Sequence, residues 1–109
     1  MASPGSVVLI DLVGAVVRKV RPALVVSSGI YHATRPDVIV AVLTSNLASA
    51  TDPTDYALVD WAAAGLHQPT AFRAFIATRP ATEIIREIGR LTDQDWQEVQ
   101  ARLRIALGL

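Results

Sequence analysis

The chain has 109 residues, 51% of them apolar and 18% charged, with ten basic residues against ten acidic ones. That length suits one domain, since domains most often run to roughly 100–150 residues, and the apolar content excludes a disordered chain. There is no cysteine, which excludes disulfides and thiolate metal sites and fits a reducing cytoplasm.

The net charge of zero lacks the strongly basic balance of a general nucleic-acid binder, but the distribution is uneven. Every basic residue except Lys19 is Arg, whose planar fork of donors suits phosphate. Arg18-Lys19-Val20-Arg21 lies in a stretch with no acid between Asp11 and Asp37. The acids collect at Asp52, Asp55 and Asp60, then at Asp93, Asp95 and Glu98. Met1 to Gly5 carries no basic run of the kind that opens a signal peptide. No apolar stretch approaches the ~20 residues of a membrane span.

In chain order, Val7 to Val13 reads as a strand: short, β-branched and entered from Pro4-Gly5. Gly14-Ala15 and the basic cluster read as a loop. Pro22 forces Arg21 into an extended conformation, and Ala23 to Val26 follows as a buried strand ended by Ser27-Ser28-Gly29. Ile30 to Pro36, with Tyr31, His32 and Arg35, reads as a loop. Asp37 to Leu43 is a third strand, apolar on both faces and therefore central. Thr44-Ser45-Asn46 ends it, and a loop over 48–55 contains Pro53.

Tyr56 to Val59 reads as a fourth strand. Asp60 reads as the N-cap of a short helix, Trp61 to Ala64, closed by Gly65. Thr70 to Thr78 reads as a fifth strand. Thr82 to Leu91 is open: Ile84 and Ile88 fit a helix, whereas Ile85, Gly89 and the length also allow a strand. Thr92-Asp93-Gln94-Asp95 is nearly a capping box, with Asp at the position usually held by Glu. Trp96, Val99, Leu103 and Leu107 then recur at helical spacing until Gly108. Strands, a short helix, more strand and a terminal amphipathic helix make an α+β domain: a small, bent antiparallel sheet or barrel with the helix packed on it.

Gly-rich phosphate loops, HExxH, the nucleophile elbow and CxxC are missing from the sequence. His32 and His67 lie far apart in loops, where an exposed role is the ordinary one, and only the fold could bring them together. Arg21 either projects from the sheet rim towards a phosphate or is a solvated turn residue. Thr44-Ser45-Asn46 either presents hydroxyl and amide groups at the rim or simply stops a strand. Arg73 lies within Ala71-Phe72-Arg73-Ala74-Phe75-Ile76, where alternation puts Arg73 and Phe75 on one face. A buried Arg is rare unless paired, so Arg73 faces a groove or pairs with an acid such as Asp11. Of the aromatics, Trp96 and Trp61 read as packing residues, and Tyr31, beside Arg35, is the best candidate for stacking a base.

Arg21-Pro22-Ala23-Leu24-Val25-Val26-Ser27-Ser28 resembles the RPALVVS segment of MazF/PemK-type toxins. Ala41-Val42-Leu43-Thr44-Ser45-Asn46 is similar to their ITSN strand ending, Gly5 to Asp11 to their GDVVLVDF opening, Phe72-Arg73 to their VR, and Ile88 to Thr92 to their IGRLS. The segments occur in the family's order and spacing over nearly the whole chain.

The resemblance implies an SH3-like β-barrel with a C-terminal helix, an isologous homodimer, and a cytoplasmic toxin held neutral by a cognate antitoxin. It implies cleavage of single-stranded RNA, mRNA included, with no metal or other cofactor. In that chemistry the 2′-hydroxyl attacks the adjacent phosphate and leaves a 2′,3′-cyclic phosphate and a 5′-hydroxyl. The positions matching the family's central Arg and its Thr or Ser are Arg21 and Thr44. Ser45, Asn46, Arg73, Lys19, Arg18 and Tyr31 are the implied or candidate RNA contacts. One departure is the short, acid-free segment from Leu12 to Val20, where the family often has a longer loop with Glu or Gln before Arg-Pro. Two further readings share the fold: a non-catalytic toxin like the gyrase poison CcdB, and a degenerate relative that keeps the dimer and antitoxin contact.

Overall fold

A computed structural model of the chain describes residues 2–13 and 18–109. Its strands are β1 (Ser6–Val13), β2 (Arg18–Val25), β3 (Asp37–Thr44), β4 (Tyr56–Ala57), β5 (Ala71–Pro80) and β6 (Ile84–Arg90). Its helices are α1 (Gly29–Thr34) and α2 (Asp93–Leu107), with 3-10 turns at Leu47–Ser49 and Ala81–Glu83. The six strands form one sheet in the order β4-β5-β3-β2-β1-β6, every pairing antiparallel. The sheet is open, with β4 and β6 as its edges, so the expected barrel is a bent sheet rather than a closed one. Among the described residues no helix is long and apolar enough to cross a membrane.

The apolar strands bury side chains on both faces because successive residues point in opposite directions. Val7, Leu24, Ala41, Leu43 and Phe72 join one core with Leu91 and Val99. Val8, Ile10, Ala23, Val25, Val38 and Val40 form a second. Helix α2 covers the first core through Val99, with Trp96 and Leu103 packed beside it. Leu107, the last member of the expected stripe, remains 57% exposed. Gly108 ends α2 in the left-handed conformation (φ 70°), which glycine adopts without steric cost.

Several local expectations are corrected. The basic cluster is not a loop: β2 begins at Arg18 and pairs as far as Val13, because β1 supplies a complete antiparallel partner. The rest of the expected loop, residues 14–17, lies outside the described residues. Ile30 to Pro36 is not all loop, since Gly29–Thr34 forms α1 with the Ser28 hydroxyl accepting from the Tyr31 N–H. The strand expected to run to Val59 stops at Ala57, and Trp61 to Ala64 makes only turns. Asp60 accepts from the Thr92 hydroxyl (3.0 Å) instead of capping a helix. The open segment after Thr82 resolves into a 3-10 turn and β6, because β1 pairs with it.

Thr92 does cap α2, accepting from the Asp95 N–H. Asp95 does not complete the box. Fully buried, its carboxylate accepts from Tyr56 Oη (2.6 Å), Val59 N (3.2 Å) and Asp60 N (2.8 Å), which ties α2 to the segment after β4. Three tertiary donors outweigh one local one.

The alternation expected around Arg73 survives an irregularity in the strand: Ala74 packs with Phe72 in the first core, and the Arg73 guanidinium lies on the Phe75 side. Val42 pairs with Phe75 and Leu43 with Phe72, so Arg73 and Ala74 form a bulge, with Ala74 at φ 55°. The bulge turns Arg73 towards the 47–55 loop, where it meets Asp55 (3.4 Å), Asp52 (3.6 Å) and the Ser49 hydroxyl (3.3 Å) rather than Asp11.

Candidate active site

Strands β2 and β3 set the first feature of the site. Their register pairs Ala23 with Val42, Leu24 with Ala41 and Val25 with Val40. Continued for two residues, it puts Arg21 across from Thr44. The Arg21 guanidinium spans the end of this ladder and donates to the Leu43 carbonyl (3.1 Å), so the two motifs read from sequence are joined by a hydrogen bond.

A cavity of about 500 Å³ opens at this end of the sheet. Leu9, Pro22, Leu43, Leu66 and Ile88 supply its apolar surface, and Arg21, Ser45, His67, Gln68, Thr70 and Arg86 its polar groups. Small-molecule sites measure roughly 300–1,000 Å³, so this one has room for a nucleotide-sized ligand. Among the described residues two guanidinium groups and no carboxylate line it, which makes it a site for an anion.

The segment carrying His67 and Gln68 is held by backbone packing. Gly65 sits at φ +86° against β6, and a Cβ there would lie 2.1 Å from the Ile88 carbonyl oxygen. A Cβ on Gly89 would likewise lie 2.1 Å from the Ala64 carbonyl oxygen. Only a glycine–glycine contact lets these two backbones approach so closely. The Leu66 N–H donates to the Trp61 carbonyl (3.2 Å) and the Leu58 N–H to the Thr70 carbonyl (3.0 Å), fixing both ends of the segment. Arg86 reaches the cavity from β6, where it pairs with the wall residue Leu9 of β1.

Of the residues expected from sequence, Arg21 and Ser45 line the cavity. Thr44, between Leu43 and Ser45 in sequence, is half-buried and does not itself line the cavity. Its hydroxyl accepts from the Asn46 N–H (3.1 Å), and Asn46 itself is exposed beside it. Lys19 is exposed on β2 opposite Leu12, and Arg18 opens the strand opposite Val13. Arg73 is engaged by its acids away from the wall, with its guanidinium 5.0 Å from the Phe75 ring centroid. Tyr31 stands on α1, beyond the opposite end of β2, and the Arg35 guanidinium lies 5.0 Å from its ring. His32 serves α1: its Nε2 lies 2.5 Å from the Ser27 hydroxyl, which also accepts from the Ile39 N–H.

Sequence reasoning did not single out Arg86 or Gln68, and treated His67 as an ordinary loop residue. No local pattern marks them. His67 and Gln68 reach the cavity through the Gly65–Gly89 contact, and Arg86 depends on a strand whose very type was open. The one usable signal was the pair of glycines bracketing these segments.

Fold and cavity together define a small α+β protein with an arginine-lined site at the end of an antiparallel sheet. Residues 3–107 match the family described as PemK-like, MazF-like toxins of type II toxin–antitoxin systems, and the chain belongs to that family. Among curated protein sequences none matches this chain significantly. It is similar in structure to a mycobacterial endoribonuclease solved in complex with its cognate antitoxin, with TM-score 0.83, 26% identity, and coverage of 100% of this chain and 97% of that one. A second mycobacterial endoribonuclease gives TM-score 0.79 and 25% identity over 99% of this chain and 92% of that one. The MazE–MazF complex of Deinococcus radiodurans, at 16% identity and TM-score 0.81 over 99% and 97%, shows the same fold.

Proposed function

We propose that this toxin is an endoribonuclease that cleaves single-stranded RNA through attack of a 2′-hydroxyl on the adjacent phosphate. The observation that carries the reading is the Arg21 guanidinium, bonded to the Leu43 carbonyl and facing a cavity that also presents Arg86 and, among the described residues, no carboxylate. Attack builds negative charge on the phosphorane oxygens, and guanidinium groups already in place stabilise it without reorganisation. Arg21 is the central catalytic group. Thr44, across the ladder end from it, orients the phosphate or the attacking hydroxyl. Ser45 and Asn46 extend the polar rim. Arg18 and Lys19 carry positive charge along β2 from the cavity, while Arg73 and Tyr31 are outlying contacts for a longer strand of RNA. The products are a 2′,3′-cyclic phosphate and a 5′-hydroxyl, formed without a metal.

The toxin acts in the cytoplasm as a homodimer and is silenced by a cognate antitoxin laid over the cavity. Exposed Phe75 and Ile76 on β5, with Ile105, Leu107 and Leu109 at the end of α2, provide apolar surface suited to such contacts.

Purified protein incubated with mixed-sequence single-stranded RNA in EDTA tests this. Cleavage leaving cyclic phosphate ends, strongly reduced in Arg21→Ala, is the expected result. Intact RNA together with inhibition of DNA gyrase would replace this reading with a non-catalytic toxin of the same fold.

A further inference from the structure

Transesterification needs a group to remove the 2′-proton, and the residues assigned so far do not supply one. A guanidinium keeps its protons throughout the neutral range, and an uncharged threonine hydroxyl is a poor base. Among the described residues no carboxylate lines the cavity. Residues 12–20, which precede Arg21, contain none either. Imidazole is the side chain that most often serves as a general base, and among the described wall residues His67 carries one.

We propose that His67 is the general base of this ribonuclease, an assignment that rests on the RNA-cleaving reading above. Its position carries the argument. His67 lines the same cavity as Arg21 and Arg86, so the imidazole and the guanidinium groups share one space of nucleotide size. Its ring is uncommitted: among the described residues no hydrogen bond or ion pair engages it. The other histidine, His32, is held by Ser27. The backbone beneath His67 is nonetheless fixed, by the Gly65–Gly89 contact and by the hydrogen bonds of Leu66 and Thr70. An exposed ring on an anchored backbone can reach a substrate atom at little ordering cost.

The step balances as follows. The 2′-oxygen–hydrogen bond breaks and its proton passes to the unprotonated ring nitrogen of His67. The 2′-oxygen–phosphorus bond forms. The phosphorus–5′-oxygen bond breaks with its electron pair remaining on the 5′-oxygen, which takes a proton from water. The imidazolium then returns its proton to solvent, so no proton is gained or lost overall.

Single-turnover cleavage of single-stranded RNA by wild type, His67→Ala and His67→Gln, measured across the acid and neutral range, tests the assignment. Loss of a general base costs about 10²–10⁴ in rate, so both variants fall by about 100-fold or more while KM changes little. The wild-type rate rises with pH along an acid limb that both variants lack, and imidazole added to the buffer restores part of the His67→Ala rate. Thermal melting of the variants matches wild type, because the side chain is exposed. Wild-type cleavage with unchanged rate and pH profile in both variants would remove His67 from the mechanism and leave the ribonuclease standing. RNA left intact by wild-type protein would overturn the ribonuclease and this assignment together.

Discussion

Two polar regions flank the first core, and they use similar residues in opposite ways. At the junction of α2 with residues 52–60, charged side chains bind one another and the backbone. Asp95 is fully buried and takes three donors, Arg73 holds Asp52, Asp55 and Ser49, and Thr92 donates to Asp60. At the cavity, Arg21 makes one bond to a backbone carbonyl, and no hydrogen bond or ion pair engages the side chains of His67 and Arg86 among the described residues. Saturated polar groups hold chain segments together. Cations grouped without a counter-charge around a hollow are suited to a ligand that brings the charge. Neither charge count nor burial alone separates these regions; the partners do.

Substitutions at the two regions should therefore separate activity from stability. Arg21→Ala is expected to lower RNA cleavage by about 10²–10³ while leaving the denaturant midpoint nearly unchanged, as read by a cleavage assay beside an unfolding curve. Asp95→Ala should do the reverse. It strands two backbone N–H groups and the Tyr56 hydroxyl, so urea unfolding should show a loss of about 3 kcal/mol or more, with cleavage per folded molecule retained. A drop in cleavage as large as that of Arg21→Ala would show the two regions to be coupled.

Gly89→Ala probes the link between them. A methyl group 2.1 Å from the Ala64 carbonyl must push the 61–68 segment away from β6, costing about 1–3 kcal/mol and shifting His67. Stability and cleavage should fall together here, and a stability loss without any cleavage loss would separate His67 from the mechanism.

The smallest expected effect is at Tyr56. Burial, then the hydrogen bond and charge of Asp95, raise its pKa well above the ordinary phenol value, while Arg102 opposes the shift slightly. The raised value makes the contribution fully present below about pH 10 and lost as pH rises further. Titration of phenolate absorbance should show one of the two tyrosines ionising late, and Tyr56→Phe should remove that late phase at a cost of about 1 kcal/mol.

Much of the fold was legible because it rests on local pattern. The apolar runs of β1, β2 and β3 are long enough to be strands whatever surrounds them, and Thr92 and Gly108 bracket α2 through capping chemistry contained within a few residues. The two motifs that contain Arg21 and Thr44 were legible as segments, and the β2–β3 register and the Arg21–Leu43 bond bring them together.

Other features had no local signature. Arg18 to Arg21 look like a turn until β1 is present to pair with them. Asp95 looks like a capping residue until Tyr56, Val59 and Asp60 arrive from almost forty residues away. Arg73 has no partner marked in the sequence until a bulge against β3 turns it to Asp52 and Asp55. His67 and Arg86 belong to one cavity only because two glycines allow their backbones to touch. The sequence by itself determined the cores of β1, β2 and β3 and the terminal helix, since hydrophobic periodicity and capping act over a few residues. Tertiary structure alone decided which polar groups were spent on the fold and which were left facing the cavity, because a hydrogen-bond partner distant in sequence leaves no mark on the local pattern.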